Sequence, residues 1–269
     1  MDARNKDLLN TKDANGHPLP AASCSPLRHL DLFSGIGGFA LAARMVGGIE
    51  TVGFCEIDPW AQKVLAKNFP GIPIHDDVKK LSGNEYGAVG IITGGYPCQP
   101  FSLTGKRKGE RDDRHLWPEM RRIIACAKPR WILCENVIGH ITMGLDEVLS
   151  DLESIGYSCG ATVLPACAVD ARHRRDRVWI LGNREGEHKA STHDLRSWEA
   201  QFRRADRSVS RWRRETDAGI LRVADGIPNR VDRIRGLGNA ICPPLAAEII
   251  QVMMQTDILQ ENDKEHLPR

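Results

Sequence analysis

Short apolar runs alternate with amphipathic segments between residues 29 and 181, and this alternation constrains the fold more than any other feature of the chain. The apolar runs predict strands over residues 29–33, 51–55, 72–74, 88–92, 131–134, 157–164 and 177–181. The amphipathic segments predict helices over residues 38–46, 59–68, 117–127, 145–154 and 244–254. Strands joined in this way by helices form a parallel sheet that is covered on both faces. The chain is therefore predicted to be an α/β protein with a doubly wound, mostly parallel sheet.

Changes in composition divide the 269 residues into five segments. The polar residues 1–27 contain three prolines and predict a flexible leader, and the α/β pattern occupies residues 28–182. Residues 183–235 are polar, rich in arginine and poor in aliphatic side chains. Residues 236–255 form an apolar C-terminal block that is predicted to return to the α/β domain, and residues 256–269 form a charged tail.

The overall composition is typical of a globular protein, with 41% hydrophobic and 27% charged residues. No run of about 18 apolar residues exists, so no membrane span is predicted. The charged N-terminus lacks the apolar core of a secretion signal. Eight cysteines are present without a C-x-x-C pair, so neither a metal site nor a disulfide framework is predicted. Reduced thiols in a cytoplasmic protein are the expected state.

Charge is unevenly distributed, although the net charge is only +2. The segment from Arg172 to Arg214 holds 13 basic and six acidic residues, a local excess of +7. Most of the basic residues are arginines, which suit contacts with phosphate and guanine. This segment is interpreted as a nucleic-acid contact, with a solvated basic surface as the alternative.

Cys98 lies in the segment Gly94-Gly95-Tyr96-Pro97-Cys98-Gln99-Pro100-Phe101-Ser102, just past the predicted strand 88–92. Ligands bind at the carboxyl ends of strands in open α/β sheets, so a thiol in this turn is a candidate nucleophile. The alternative is a small apolar side chain packed in a turn, because free cysteine is often buried and inert.

Three other strand ends carry groups that suit a nucleotide-like ligand. Glycines in the turn Phe33-Ser34-Gly35-Ile36-Gly37-Gly38 allow the backbone to approach a ligand closely. Glu56 ends the second predicted strand, where a carboxylate can accept both hydroxyls of a ribose. Asp77 follows the third strand, where it could accept from an adenine amino group. Each acidic residue alone is also compatible with a solvated carboxylate.

Five short motifs occur in one order along the chain, and together they carry a resemblance to a known family. They are Asp31-Leu32-Phe33-Ser34-Gly35-Ile36-Gly37-Gly38-Phe39, Pro97-Cys98-Gln99-Pro100-Phe101-Ser102, Glu135-Asn136-Val137, Arg175-Asp176-Arg177 and Gly238-Asn239-Ala240. The chain resembles the cytosine-C5 DNA methyltransferases, in the form of a compact prokaryotic or phage-type member. The resemblance implies a catalytic and cofactor-binding domain over 28–182 and a short target-recognition region over 183–235.

The resemblance also implies the methyltransferase fold and S-adenosylmethionine as the cofactor. Family members often have an aromatic residue where Ile57 stands, so adenine stacking is expected to be weaker here. The cofactor-binding residues carried over from the family are Phe33, Gly35, Ile36, Gly38, Glu56, Ile57, Asp77, Val78, Asn239 and Ala240.

The implied chemistry begins with addition of the Cys98 thiolate to C6 of cytosine, which makes C5 nucleophilic. Glu135 is expected to meet N3 and the amino group of the ring as an acid. Arg177 is expected beside the target base, with Arg175 assisting. The two arginines are expected to point in opposite directions, one towards the base or the thiolate and the other towards the acid or a phosphate. A pair of surface arginines is the alternative.

Double-stranded DNA is the expected substrate, with the target base flipped into the pocket. The basic, glycine-flanked segment 105–114 is expected to close over the phosphate backbone. The expected DNA contacts are Ser102, Thr104, Lys106, Arg114, Arg203, Arg204 and Arg211. A monomer without membrane association is expected, and a cognate restriction endonuclease is a candidate partner in the host.

Three alternatives stay open at this point. The same chemistry could act on a tRNA cytosine, since a related branch of the family does so. A regulator could bind cofactor and DNA without catalysis, although Cys98, Glu135 and Arg177 are all present. A nicotinamide dehydrogenase is the third alternative, but the turn at Gly35 lacks the full G-x-G-x-x-G spacing.

Overall fold

The computed structural model describes residues 25–97, 116–171, 173–184 and 236–265, with the backbone alone for residues 257–265. The strands of this part are β1 (Leu27–Leu32), β2 (Ile49–Cys55), β3 (Ile74–His75), β4 (Ile91–Gly94), β5 (Trp131–Val137), β6 (Ser158–Pro165) and β7 (Asp176–Asn183). The helices are α1 (Gly38–Val46), α2 (Pro59–Asn68), α3 (Trp117–Ala127), α4 (His140–Met143), α5 (Leu145–Ser154) and α6 (Pro243–Glu265), with a 3₁₀ turn at Ala166–Val169.

The strands form one seven-stranded sheet in the order β3-β2-β1-β4-β5-β7-β6. All pairs from β3 to β5 are parallel, whereas β7 runs antiparallel to both of its neighbours. The amino end of β7 therefore lies beside the carboxyl end of β5, where Arg177 pairs with Val137. This arrangement gathers the ends of five strands and the start of β7 at one edge of the sheet.

Helices cover both faces of the sheet, because successive side chains of its central strands point to opposite sides. On β5, Ile132 and Cys134 join the core beneath α3 and α5. Trp131 and Leu133 join a second core with α1 and α6. The prediction of a doubly wound, mostly parallel α/β sheet is thus confirmed.

The C-terminal helix α6 packs against α1 and the sheet. Leu245, Ile249, Ile250 and Met253 are almost fully buried in the core that also contains Phe39 of α1. The segment Gly236–Thr256 is long and apolar enough to cross a membrane by length and composition. A core helix of a globular domain meets the same criterion, and this packing accounts for its apolar side chains.

Three element boundaries differ by three residues or more from those predicted. Strand β4 begins at Ile91 instead of residue 88, since Gly87 turns the chain in a left-handed conformation at φ 65°. Strand β5 continues beyond residue 134 to Val137 because β7 pairs with it along its whole length. Helix α6 extends to Glu265, beyond the predicted end at residue 254, through a segment rich in good helix formers.

A row of hydrogen-bonded polar side chains crosses β2, β1 and β4, and its members on β1 and β4 are buried. The two ring nitrogens of His29 lie 2.9 Å from Thr51 Oγ1 and 2.7 Å from Thr93 Oγ1. Thr93 in turn donates a hydrogen bond of 3.0 Å to Asp31 Oδ1. Burial lowers the pKa of His29 to about 3, so the ring is neutral at physiological pH. Desolvation also raises the pKa of Asp31, although hydrogen bonds from Thr93 and the Ala40 amide oppose this shift.

Candidate active site

A cavity of about 880 Å³ opens at the edge of the sheet where the strand ends meet. Its walls come from the ends of β1, β2, β4 and β5, the start of β7 and the C-terminal residues 236–240. The predicted site residues that line it are Phe33, Gly35, Ile36, Glu56, Ile57, Asp77, Val78, Glu135, Arg175, Arg177, Asn239 and Ala240. The fold therefore brings the candidate cofactor-binding and catalytic groups together around one space.

The glycine turn after β1 presents backbone to this cavity. Gly35 has a φ of 53°, and a Cβ at this position would meet no atom within 4 Å. Phe33 also has a positive φ of 52°, which is uncommon for a residue with a side chain. Ser34 fixes the turn because its hydroxyl donates a hydrogen bond of 2.6 Å to the Asp31 carbonyl. The backbone is thus held in an open conformation that a ligand can approach closely.

Glu56 is held in place by backbone amides. The Gly35 amide donates to Oε2 at 2.7 Å and the Asp58 amide donates to Oε1 at 2.8 Å. Asp58 itself caps α2, as its side chain accepts from the Trp60 amide. Each carboxylate oxygen has two lone pairs, so Glu56 keeps capacity to accept hydrogen bonds from a ligand.

The outer end of this region combines an acidic and an apolar surface. Asp77 accepts a hydrogen bond of 2.9 Å from the Lys79 amide, and its side chain is 29% exposed. Ile57 is 74% exposed and Val78 is buried. Gly38 does not line the cavity, unlike the other predicted cofactor-binding residues. It lies next to Ile241 instead. A Cβ on Gly38 would lie 2.6 Å from Ile241 Cγ1, so the glycine allows the C-terminal segment to pack against the start of α1.

The opposite side of the cavity contains a buried ion pair. Arg177 Nε lies 2.8 Å from Glu135 Oε1, and the Glu135 side chain is only 10% exposed. Desolvation raises the pKa of Glu135, while the positive charges of Arg177 and Arg175 oppose this increase. Gly95 passes directly beside this carboxyl group. The site therefore presents a carboxyl group that can hold a proton next to the turn that follows β4.

Arg175 joins the two sides of the cavity. One guanidinium nitrogen donates hydrogen bonds of 2.8 Å to both the Gly238 and the Ala240 carbonyls. Desolvation lowers the pKa of Arg175, with a further contribution from Arg177. The expectation that the two arginines point in opposite directions is wrong, since both line the same cavity. The expectation misapplied strand alternation, because residues two apart on a strand share a face. Arg175 itself lies just before β7, with a φ of 38°.

Residues 27–215 match the family model described as C-5 cytosine-specific DNA methylase. The chain belongs to this family. The resemblance inferred from the five motifs is therefore confirmed, and the matched range contains all of the described cavity wall except residues 236–240.

Similar proteins agree with this assignment. The chain is 34% identical over 161 residues to a Type II methyltransferase, M.HgiBI, of Herpetosiphon aurantiacus, covering 58% of this chain and 37% of that protein. It is also 34% identical to the Type II methyltransferase M.HhaI of Haemophilus parahaemolyticus, covering 58% of this chain and 48% of that protein. The chain thus spans less than half the length of these two curated relatives.

A solved structure of the Dnmt2 methyltransferase from S. pombe has the same fold. It superposes with a TM-score of 0.54 at 24% sequence identity, covering 64% of this chain and 55% of that one. This similarity supports the methyltransferase fold that the motifs imply.

Several members of the predicted site lie outside the described residues. They are Cys98, Ser102, Thr104, Lys106, Arg114, Arg203, Arg204 and Arg211. Pro97 and Leu116, the described residues on either side of residues 98–115, both line the cavity. The predicted nucleophile therefore follows directly in the chain after a residue of the cavity wall.

Sequence reasoning missed the residues that fix the turn before Cys98. Asn136 Nδ2 donates a hydrogen bond of 3.2 Å to the Tyr96 carbonyl. The Tyr96 hydroxyl lies 2.7 Å from His140 Nε2. Asn136 was noted in the sequence only as a member of the Glu135-Asn136-Val137 motif, and no role was predicted for it. His140 gave no signal, because its partner lies 44 residues earlier in the chain.

Proposed function

We propose that this chain is a DNA cytosine-C5 methyltransferase that uses S-adenosylmethionine as methyl donor. The observation that carries the proposal is the single cavity that unites a backbone-held acidic region with the buried Glu135–Arg177 pair. The acidic region suits a nucleoside that carries a charged side chain, and the Glu135–Arg177 pair suits a polar nucleobase. Membership of the methylase family supports both parts of the proposal.

The described residues fit S-adenosylmethionine. Open space above Gly35 would admit the methionine part against the backbone, and Glu56 would accept hydrogen bonds from the ribose hydroxyls. Asp77 would accept from the adenine amino group, while Ile57 and Val78 would contact the ring. Phe33, Ile36, Asn239 and Ala240 would complete the walls. When bound, this cofactor supplies an activated methyl group to a nucleophilic carbon.

The chemical half of the cavity would activate the cytosine. The Cys98 thiolate would add to C6, and this addition displaces an electron pair onto N3 of the ring. Glu135 would then donate a proton to N3. The raised pKa of Glu135 favours the protonated form that this step needs. Arg177 holds the Glu135 side chain and faces the position of the base. After C5 is methylated, solvent water would accept the C5 proton, which restores the C5–C6 double bond and expels the Cys98 thiolate. N3 would then return its proton to the Glu135 carboxylate.

Duplex DNA is the proposed substrate. Its cytosine C5 is stacked inside the helix, so the base has to be flipped into the cavity before Cys98 can reach it. The excess of seven positive charges between Arg172 and Arg214 would hold the phosphate backbone during this step. Cytoplasmic action as a monomer, with a restriction endonuclease as a candidate partner, belongs to the same proposal.

Expression in a host free of cytosine methylation tests the proposal, with genomic DNA analysed by bisulfite sequencing. The wild-type chain should produce 5-methylcytosine at a defined sequence, and Cys98→Ala should produce none. Cys126→Ala is the matched control, since this exposed cysteine does not line the cavity, and it should behave as the wild type. Methylation by Cys98→Ala would disprove the assignment of the nucleophile.

Methyl-transfer assays with the purified protein then distinguish the alternative functions. Labelled donor should transfer methyl groups to duplex DNA and not to tRNA; the reverse result would favour the tRNA enzyme. Binding of donor and DNA without transfer to either would favour a regulator. A duplex with 5-fluorocytosine at the methylated position should trap a covalent adduct through Cys98, because the fluorine cannot leave as a proton does.

A further inference from the structure

Tyr96 lies in the chain between the end of β4 and the predicted nucleophile. It follows the end of β4 by two residues and precedes Pro97 and Cys98. Its side chain is only 3% exposed, and the residue lines the cavity. Whatever holds Tyr96 therefore fixes the backbone from which the Cys98 segment continues.

Three elements hold Tyr96 at once. A hydrogen bond of 2.7 Å joins its hydroxyl to His140 Nε2 on α4. Its ring packs against Trp117 on α3, with centroids 5.1 Å apart, and Trp117 is fixed by a hydrogen bond of 2.8 Å to Asp151 on α5. Its carbonyl accepts from Asn136 on β5. Tyr96 is thus attached to the sheet and to the helices that cover one face of it.

The bond to His140 is a buried, neutral hydrogen bond. His140 is 5% exposed, and burial lowers its pKa to about 4, so its ring carries no charge at physiological pH. The two rings also meet edge to face at a centroid distance of 5.5 Å. A hydrogen bond between two buried groups restricts both side chains, because water cannot readily replace either of them.

We propose that Tyr96 and His140 are positioning residues, whose hydrogen bond holds the Gly95–Pro97 backbone so that Cys98 meets C6 of the base. The inference rests on the proposed function, since it concerns the same covalent step. Nucleophilic attack needs a near-attack geometry, and a misplacement of about 1 Å can cost about 100-fold in rate. Loss of this bond should therefore lower kcat and leave donor binding unchanged.

Tyr96→Phe tests the inference because it removes only the hydroxyl and keeps the ring against Trp117. Tyr157→Phe is the matched control. Tyr157 is also 3% exposed, and its hydroxyl also makes a hydrogen bond of 2.7 Å, to the Pro129 carbonyl, but it does not line the cavity. Both variants should lose a comparable amount of thermal stability. Only Tyr96→Phe should lower kcat, by about 10- to 100-fold, with the KM for the donor unchanged.

A pair of variants at position 140 sharpens the result. His140→Gln can place an amide group near the position of Nε2 and should restore part of kcat relative to His140→Leu. Adding Tyr96→Phe to His140→Leu should cost little more, as the bond is already absent. Equal kcat in Tyr96→Phe and Tyr157→Phe would overturn the inference.

Amide hydrogen exchange provides a readout that does not depend on methyl transfer. The Gly95 and Tyr96 amides should exchange faster in Tyr96→Phe than in Tyr157→Phe at matched global stability. Equal exchange would overturn the inference even if kcat fell. An inactive wild-type chain would disprove the proposed function, and the exchange result would still decide whether the pair holds this backbone.

Discussion

The two halves of the cavity are built on different principles. In the cofactor half, the Glu56 carboxylate is bound by the backbone amides of Gly35 and Asp58, next to an open glycine turn. In the chemical half, the Glu135 carboxyl group is buried and faces a guanidinium group at 2.8 Å. The first half supplies preformed hydrogen-bonding groups, whereas the second places the Glu135 carboxyl group where burial raises its pKa.

This difference separates binding from chemistry. The cofactor half holds the groups proposed to bind the donor through fixed backbone amides, so it is expected to act through affinity. The pKa of a buried acid depends on the charges near it, and only the protonated acid can donate a proton to a bound base. Substitutions in the first half should therefore alter binding, and those in the second should alter rate.

We expect Glu135→Gln to change kcat more than any other substitution, and it tests whether the two halves of the cavity separate binding from chemistry. The amide keeps the size of the side chain but cannot transfer the proton that we propose passes from Glu135 to N3. We expect kcat to fall by about 10²- to 10⁴-fold, with little change in the affinity for the donor. Single-turnover methylation of a duplex substrate, together with titration of S-adenosylhomocysteine, measures both quantities.

The matched control for this substitution is Glu153→Gln, on an exposed position of α5 that does not line the cavity. It should retain wild-type kcat. If Glu135→Gln kept wild-type kcat as well, Glu135 would not act as the acid, and the chemical half would need another proton donor.

Glu56→Gln should give an intermediate effect of the opposite type. One oxygen becomes an amide nitrogen that repels either the Gly35 or the Asp58 amide, so the turn loses a charge-assisted hydrogen bond. Hydrogen bonds to charged groups contribute about 1.5–3 kcal/mol, which corresponds to about 10- to 100-fold weaker binding of S-adenosylhomocysteine. Calorimetric titration measures this loss, and kcat at saturating donor should stay close to that of the wild type.

Glu50→Gln is the control for Glu56→Gln, since Glu50 lies on the same strand and is exposed. It should bind S-adenosylhomocysteine as the wild type does. A Glu56→Gln variant with normal affinity and reduced kcat would contradict the separation of binding from rate.

His29→Gln has the smallest effect and tests the support beneath the cofactor half. The folded-state pKa of His29, about 3, lies below the ordinary value of 6.5, so protonation favours the unfolded chain. The stability that depends on neutral His29 is fully present above pH 6.5 and is lost as the pH falls towards 3. Between pH 7 and pH 5.5 this loss is about 1 kcal/mol.

Urea unfolding at these two pH values measures the difference. The decrease in the free energy of unfolding should be smaller in His29→Gln by about 1 kcal/mol, because glutamine does not titrate. An identical decrease in both proteins would mean that His29 is not neutral in the folded chain.

Elements marked by strong local signals were predicted well from the sequence. Helix α2 begins at Pro59 with Asp58 as its cap, and helix α1 ends before Gly47-Gly48, as their sequences indicate. The glycine turn and Glu56 were found because strand ends gather at one edge of an α/β sheet, whereas Glu135 was found through the resemblance to the family. These features depend on neighbours in the chain or on a general rule of topology.

The remaining features depend on contacts between distant segments. The antiparallel direction of β7 places Arg177 beside Glu135, yet nothing within residues 176–183 specifies that direction. The left-handed backbone of Arg175 and its bonds to Gly238 and Ala240 join segments more than 60 residues apart. The partnership of Tyr96 with His140 has the same origin. Such contacts emerge only when packing brings the elements together.

The cavity wall formed by residues 236–240 is translated after all the strands of the sheet. Protein chains fold from the amino terminus as they leave the ribosome, and all seven strands precede residue 184. The sheet can therefore be complete while Arg175 still lacks the two carbonyls that it binds. A nascent chain at that stage has its strands but an unfinished pocket, which is completed only after residues 236–240 have been translated.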